Sequence, residues 1–271
     1  MTSIIPQRYK SAKGLAYVKK GRGPALVLIH GVGLRLEAWI RQFDTLSQHF
    51  TVYAVDMPGH GESDLMPECS TISDYTDVIA NWVMNDIKEP ILIMGHSMGS
   101  MIALNFASRY SDWCVGTVAF NSIFRRSEKA KQAVKDRVSQ IKNSLTHQHT
   151  TAPIQRWFDS PLTEPDEENA LLCSEWLSSV SLDGYSQAYE VFCNNDGPAD
   201  DVLRGLEIPT LFITGSDDPN STPEMSAAMA AMCPRGEHQI INNAKHMAPM
   251  THSGEINEIV VDFGLSCIVA Q

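Results

Sequence analysis

The chain alternates short, unbroken apolar runs with stretches in which apolar residues recur every three or four positions. Ala25–Ile29 (ALVLI), Thr51–Val55 (TVYAV), Ile91–Met94 (ILIM), Val115–Phe120 and Pro209–Ile213 have the length and β-branched content of strands buried on both faces. Gly14–Lys20 predicts a short strand ahead of them and His238–Ile241 one behind, with KKGRGP as the turn out of the first. Helical spacing lies in between. Tyr75, Ile79, Trp82 and Val83 share one face, with Ser73 or Asp74 as N-cap, and helices are also expected over Ser100–Arg109 and Ile256–Leu265. Strand–helix alternation of this kind specifies a mainly parallel sheet covered on both faces.

From Ser122 to Leu206 the pattern changes. No buried strand is evident, and helical periodicity dominates. Val134, Val138, Ile141 and Leu145 fall on one face, Thr163-Glu164-Pro165-Asp166 reads as a capped helix start, and a further helix runs near Gly184–Phe192. The expected fold class is therefore α/β, with a doubly wound central sheet and an inserted helical cap. Residues 1–121 and 207–271 make the core, and residues 122–206 make the cap.

Bulk properties narrow the partners. A chain of 271 residues with 43% hydrophobic and 20% charged residues has ample core for such a sheet. Its net charge of −11 argues against nucleic acid or an anionic membrane surface as a partner. Six scattered cysteines with no C-x-x-C pair argue against a zinc site and suggest reduced thiols. MTSIIPQRYK lacks the apolar stretch of a signal peptide, so a cytoplasmic location is expected. Nothing in the sequence specifies an oligomeric state.

The chemistry concentrates in ILIMGHSMG, residues 91–99. An apolar strand, a tight Gly-flanked turn with Ser97 at its apex and a following small-residue helix have the form of a nucleophile elbow. Chance alone supplies G-x-S-x-G in roughly one chain in ten of this length, so the rest of the chain must support it. A serine hydroxyl needs a base, and the base needs an orienting group. Of nine histidines, His30, His60 and His96 sit in Gly-rich turns suited to loop packing, and His147 and His149 in a polar stretch of the cap. His246 lies in the loop after the last predicted strand, at the same end of the sheet as Ser97, with His252 as a fallback. For the orienter, the strand ending at Ile213 leads into TGSDDP, where a carboxylate would stand at the strand's carboxyl end. Spacing favours Asp218 over Asp217.

The order Ser97, Asp218, His246 is that of the α/β-hydrolases, and the sequence resembles that superfamily, in its capped, esterase-like branch, from about Ala25 to Phe263. The matching stretches are HGVG followed by Trp39, DMPGHGES, GHSMG, PTLFITGSDDPNSTP and NNAKHMAP. The acid loop is one residue longer than the usual pattern, which keeps Asp217 open as the alternative. The resemblance implies an oxyanion hole of the Val32 and Met98 N–H groups, no metal and no organic cofactor. It implies hydrolysis of a small-molecule ester or lactone through an acyl-enzyme. Cleavage of a carbon–carbon bond in a β-diketone-like substrate, or slow-turnover ligand sensing, are the alternatives. Trp39 is a candidate for the acyl pocket or for the core. Arg125 and Arg126 are candidates for a clamp on a substrate carboxylate or for a solvated hinge.

Overall fold

The computed structural model describes residues 6–142, 151–159 and 161–269. Eight strands form one sheet: β1 (Arg8–Lys10), β2 (Ala16–Lys20), β3 (Ala25–Ile29), β4 (Thr51–Val55), β5 (Ile91–His96), β6 (Cys114–Phe120), β7 (Thr210–Gly215) and β8 (Gly236–Ile241). Their spatial order is β1-β2-β4-β3-β5-β6-β7-β8, antiparallel through β1, β2 and β4 and parallel from β4 to β8. The runs read as doubly buried behave so: every residue of β3, β4, β5 and β7 is buried. At the edge, β8 carries Gly-Glu-His-Gln and is largely exposed, as a strand with a free side can be.

Helices cover both faces. On one side α2 (Ile72–Trp82) and α3 (Met98–Arg109) pack with α9 (Pro223–Met232) over Val27, Ile29, Ile91 and Ile93. On the other, α1 (Ile40–Leu46) and α11 (Ser253–Val269), joined to β8 through α10 (Ala248–Thr251), pack over Leu26, Leu28, Leu92 and Met94. Successive strand residues thus feed opposite cores, the period-two consequence of the pleat. The N-cap of α2 is Thr71, neither Ser73 nor Asp74. Its Oγ1 accepts the Asp74 N–H at 3.2 Å while the Asp74 carboxylate accepts the Thr71 N–H at 2.8 Å. Asp74 belongs to the first turn as the N3 residue of a capping box.

Between β6 and β7 lie α4 (Glu128–Lys142), α5 (Thr151–Trp157), α6 (Glu164–Ser179), α7 (Leu182–Cys193) and α8 (Asp200–Arg204). Ala188 and Val191 of α7 and Leu203 of α8 join the core on the α2–α3 side of the sheet. Two smaller apolar clusters hold the other helices over the carboxyl ends of the strands. Ala170, Cys173 and Trp176 pack on Leu34, Ala38, Met247 and Met250. Ile141, Leu177, Val180 and Tyr185 pack together, with Val32 against them. The start of α7 also docks on the DMPGHGES turn: a Cβ at Gly184 would strike the Gly59 carbonyl oxygen. Gln187 Nε2 donates to the Met66 carbonyl at 2.8 Å and to that of Cys69. On α4, Ile141 is buried and Val134 and Val138 are half-buried; Leu145 lies outside the described residues.

Candidate active site

β5 ends at His96, and α3 begins at Met98. Between them Ser97 takes φ 55° and ψ −120°, a region that L-residues avoid and that here reverses the chain within one residue. The flanking glycines make this turn fit. A side chain at Gly95 would collide with the Gly99 carbonyl, and one at Gly99 with the Ile29 and His30 carbonyls. Strand, elbow and helix therefore stack backbone against backbone, which no residue with a Cβ allows. Met98 opens α3, so its N–H is one of the first-turn groups without an intrahelical acceptor.

Asp218, in the loop after β7, and His246, after β8, are both buried. His246 Nδ1 donates to Asp218 Oδ2 at 2.7 Å, which fixes the tautomer and leaves Nε2 for another partner. The same Oδ2 accepts Ser221 Oγ at 2.9 Å and Asn121 Nδ2, and Oδ1 accepts the Asn220 N–H at 2.8 Å. Burial works to raise the carboxyl pKa, but the His246 charge and these hydrogen bonds outweigh it and hold the group at about 2. Asp217 is exposed, its N–H bonded to the Ala244 carbonyl at 2.9 Å. Asn121 and Ser221 are contacts of the acid that sequence reasoning missed. Asn121's position just past β6 is the one signal that pointed towards the site.

Three further histidines fasten the loops around Ser97. His30 Nδ1 donates to the Gly31 carbonyl at 2.8 Å, and its Nε2 accepts the Met57 N–H at 2.9 Å. His60 Nδ1 donates to the Pro58 carbonyl at 3.1 Å, and its Nε2 accepts the Gly33 N–H at 3.0 Å. His96 Nε2 donates to the His246 carbonyl at 2.8 Å. Each ring bridges two loops and is held neutral by burial, His30 at about 4, His60 and His96 at about 3. The Gly31–Gly33 turn that carries Val32 is thus tied at both ends. His252 is half-buried, bonded to Thr251 Oγ1 at 2.8 Å; His147 and His149 lie outside the described residues.

Ser97, His246, Gly31 and Val32 line one cavity of about 610 Å³, roofed by α4, α5 and α7. Trp157 stacks 6.0 Å from the His246 ring, and Tyr185, Tyr189 and Phe192 extend the apolar wall. Two candidate residues are placed elsewhere. Trp39 is buried in the core with Leu28 and Met94, edge-on to His96, and does not line the cavity. Arg125 points to solvent, ion-paired with Asp200 at 2.5 Å and resting on Phe124. Its φ of 53° turns the chain so that Arg126, one residue on, is the buried arginine in the cavity wall. Among the described residues no group of three or more His, Cys, Asp or Glu is arranged to hold a metal ion, and no helix is long and apolar enough to cross a membrane.

Sheet order, elbow and carboxyl-end loops together define an α/β-hydrolase fold, and the family model described as alpha/beta hydrolase fold matches residues 24–253. The chain belongs to that family. It is similar to the (E)-2-((N-methylformamido)methylene)succinate hydrolase of Acinetobacter baylyi, with 35% identity over 89% of this chain and 90% of that one. Among solved structures, a thermophilic esterase from Thermogutta terrifontis superposes with a TM-score of 0.86 at 24% identity, covering 96% of this chain and 99% of its own. The enol-lactonase of Burkholderia xenovorans gives 0.82 at 24% identity, covering 92% and 95%. The protein is a hydrolase of this fold.

Proposed function

We propose that the protein cleaves a small carboxylic ester or lactone through an acyl-enzyme on Ser97. One observation carries the reading. A buried, tautomer-fixed His246–Asp218 pair and a serine held at φ 55° open on the same cavity. In this reading His246 Nε2 takes the Ser97 proton as Oγ attacks the carbonyl, and returns it to the leaving group. Water then repeats the sequence on the acyl-enzyme, while Asp218 holds the imidazole and stabilises its charged form. The Val32 and Met98 N–H groups receive the oxyanion, each donor contributing about 3–4 kcal/mol in the transition state. The neutral ties of His30 and His60 keep Val32 in place for that task.

A burst experiment on short p-nitrophenyl esters and a set of lactones tests it. Stoichiometric p-nitrophenol release, abolished in Ser97→Ala, is expected. Turnover that survives Ser97→Ala overturns the assignment, and no turnover on any ester or lactone overturns the substrate class. The A. baylyi relative favours a second reading. Its named substrate is an N-methylformamido-methylene succinate, neither a simple ester nor a lactone. The same serine would then cleave a carbon–carbon or carbon–nitrogen bond in a conjugated acid, and a screen that includes vinylogous substrates separates the two.

A further inference from the structure

Four cationic side chains, Arg126, Lys129, Arg137 and Arg156, line the cavity, and no Asp or Glu does among the described residues. In a chain of net charge −11 that is a local reversal of sign above Ser97. The cations differ in setting. Lys129 and Arg156 are exposed on α4 and α5, and Arg137 donates to Tyr185 Oη at 3.3 Å. Arg126 is 5% exposed and fixed before any ligand arrives. Its Nε donates to Asp196 Oδ1 at 3.1 Å. Its Nη2 donates to the carbonyls of Phe192 at 3.0 Å, Cys193 at 3.5 Å and Asn195. The Phe192 ring lies 4.9 Å from the guanidinium carbon. Nη1 alone is buried with no acceptor among the described residues.

A buried, charged N–H donor without a partner is costly and rare, and calls for an acceptor. Asp196 takes only the Nε side of the guanidinium and also pairs with Lys131 at 3.3 Å, which pairs in turn with Glu128 at 3.0 Å, so neither carboxylate serves Nη1. A carboxylate meets the need. It is planar like the guanidinium, supplies a charged acceptor and fits a site whose orientation is already set. We propose that Arg126 is the specificity-determining residue of this cavity, its guanidinium seating a free carboxylate on the substrate whose acyl group reacts at Ser97 and so supplying the acceptor that Nη1 lacks. The proposal rests on the Ser97 hydrolase reading and adds the substrate's charge to it.

The test compares p-nitrophenyl hydrogen glutarate with its uncharged counterpart, p-nitrophenyl methyl glutarate. The wild type is expected to favour the acid by about 10- to 100-fold in kcat/KM, mainly through KM, as one charge-assisted contact allows. Arg126→Met should bring that ratio close to one, and Arg126→Lys should recover part of it. A wild-type ratio of one or less, or a ratio unchanged in Arg126→Met, overturns the proposal. Arg126 also fastens the end of α7 to the loop after β6, so a second arm uses the intact chain. Glutarate should inhibit p-nitrophenyl butyrate hydrolysis competitively, and inorganic phosphate at equal ionic strength should not; equal inhibition by both overturns the carboxylate assignment. Calorimetry separates the two readings. Glutarate that binds Ser97→Ala but not Arg126→Met, with neither ester hydrolysed, keeps the seat and removes the hydrolase reading. Hydrolysis of both esters at equal efficiency does the opposite.

Discussion

The cavity has two walls, and they are built differently. The lower wall is made of strand ends and turns. It buries His30, His60, His96, Asp218 and His246, and each of these side chains has a hydrogen-bond partner at a defined nitrogen or oxygen. The upper wall is made of α4, α5 and α7. Apart from Arg126, its charged groups are exposed or half-exposed, Lys129 and Arg156 the former and Arg137 the latter, and it is attached by apolar packing and by the Gln187 hydrogen bonds. The difference follows from desolvation. Polar groups fully out of water must be paired or destabilise the fold, so the lower wall admits little variation. Charges that stay half-solvated cost little, so the upper wall can be re-lined without disturbing the sheet. Arg126 is the exception, a charge of the upper wall buried to the standard of the lower one.

Breaking the lower wall should have the largest consequences. Ser97→Ala is expected to lower kcat by about 10⁴- to 10⁶-fold with folding retained, measured by ester hydrolysis alongside circular dichroism. Asp218→Asn should cost about 10⁴-fold through the wrong imidazole tautomer, while Asp217→Asn changes the rate less than about twofold. A reversed result would return the acid to Asp217.

The buried histidines give a pH test of the same wall. Their folded pKa values lie below the ordinary value near 6.5, so the unfolded chain takes up protons that the folded chain refuses. Stability therefore falls as pH drops below about 6.5, by on the order of 2 kcal/mol per histidine between pH 7 and 5. Asp218 behaves oppositely. Its pKa is depressed to about 2, so its contribution is intact above the ordinary value of 3.8 and fades only as pH falls through the folded value. Urea denaturation from pH 7 to 5 checks the histidine effect, and a flat profile would show that these rings are not held neutral. The upper wall's exposed surface should respond least. Arg125→Ala, whose partner Asp200 is also partly solvated, is expected to change activity and stability by less than about 0.5 kcal/mol. A loss comparable to that of Arg126→Met would remove the distinction between the two arginines.

Much of the lower wall was readable from residue order. Apolar runs such as ALVLI and TVYAV have no stable place except a doubly covered strand, and strands that alternate with helices place their following loops at one end of the sheet. Ser97 and the SDDP loop each follow such a run and His246 follows the edge strand beside them, so their meeting was implied once the sheet was. Local rules failed where two readings were locally equivalent. Ser73, Asp74 and Thr71 all suit a helix start, and only the reciprocal bonds of Thr71 and Asp74 identify the cap. PEMSAAMAAM, which forms α9, has little amphipathic contrast and offered no periodic stripe to read.

What the sequence by itself determined is the order of elements and the residues at the strand ends, because hydrophobic period and turn chemistry are local properties. Tertiary structure alone decided which neighbour faces the cavity. Arg125 and Arg126 are adjacent and chemically identical, and the backbone turn at φ 53° sends one to solvent and the other into the wall. Burial, and with it the neutral state of His30, His60 and His96 and the low pKa of Asp218, likewise depends on which loops pack together. The charge of the cavity belongs to the same class of property. The stretch from Arg125 to Lys142 is visibly basic, but only the packing of the loop before α4, α4 and α5 selects which of its cations, with Arg156, line the cavity.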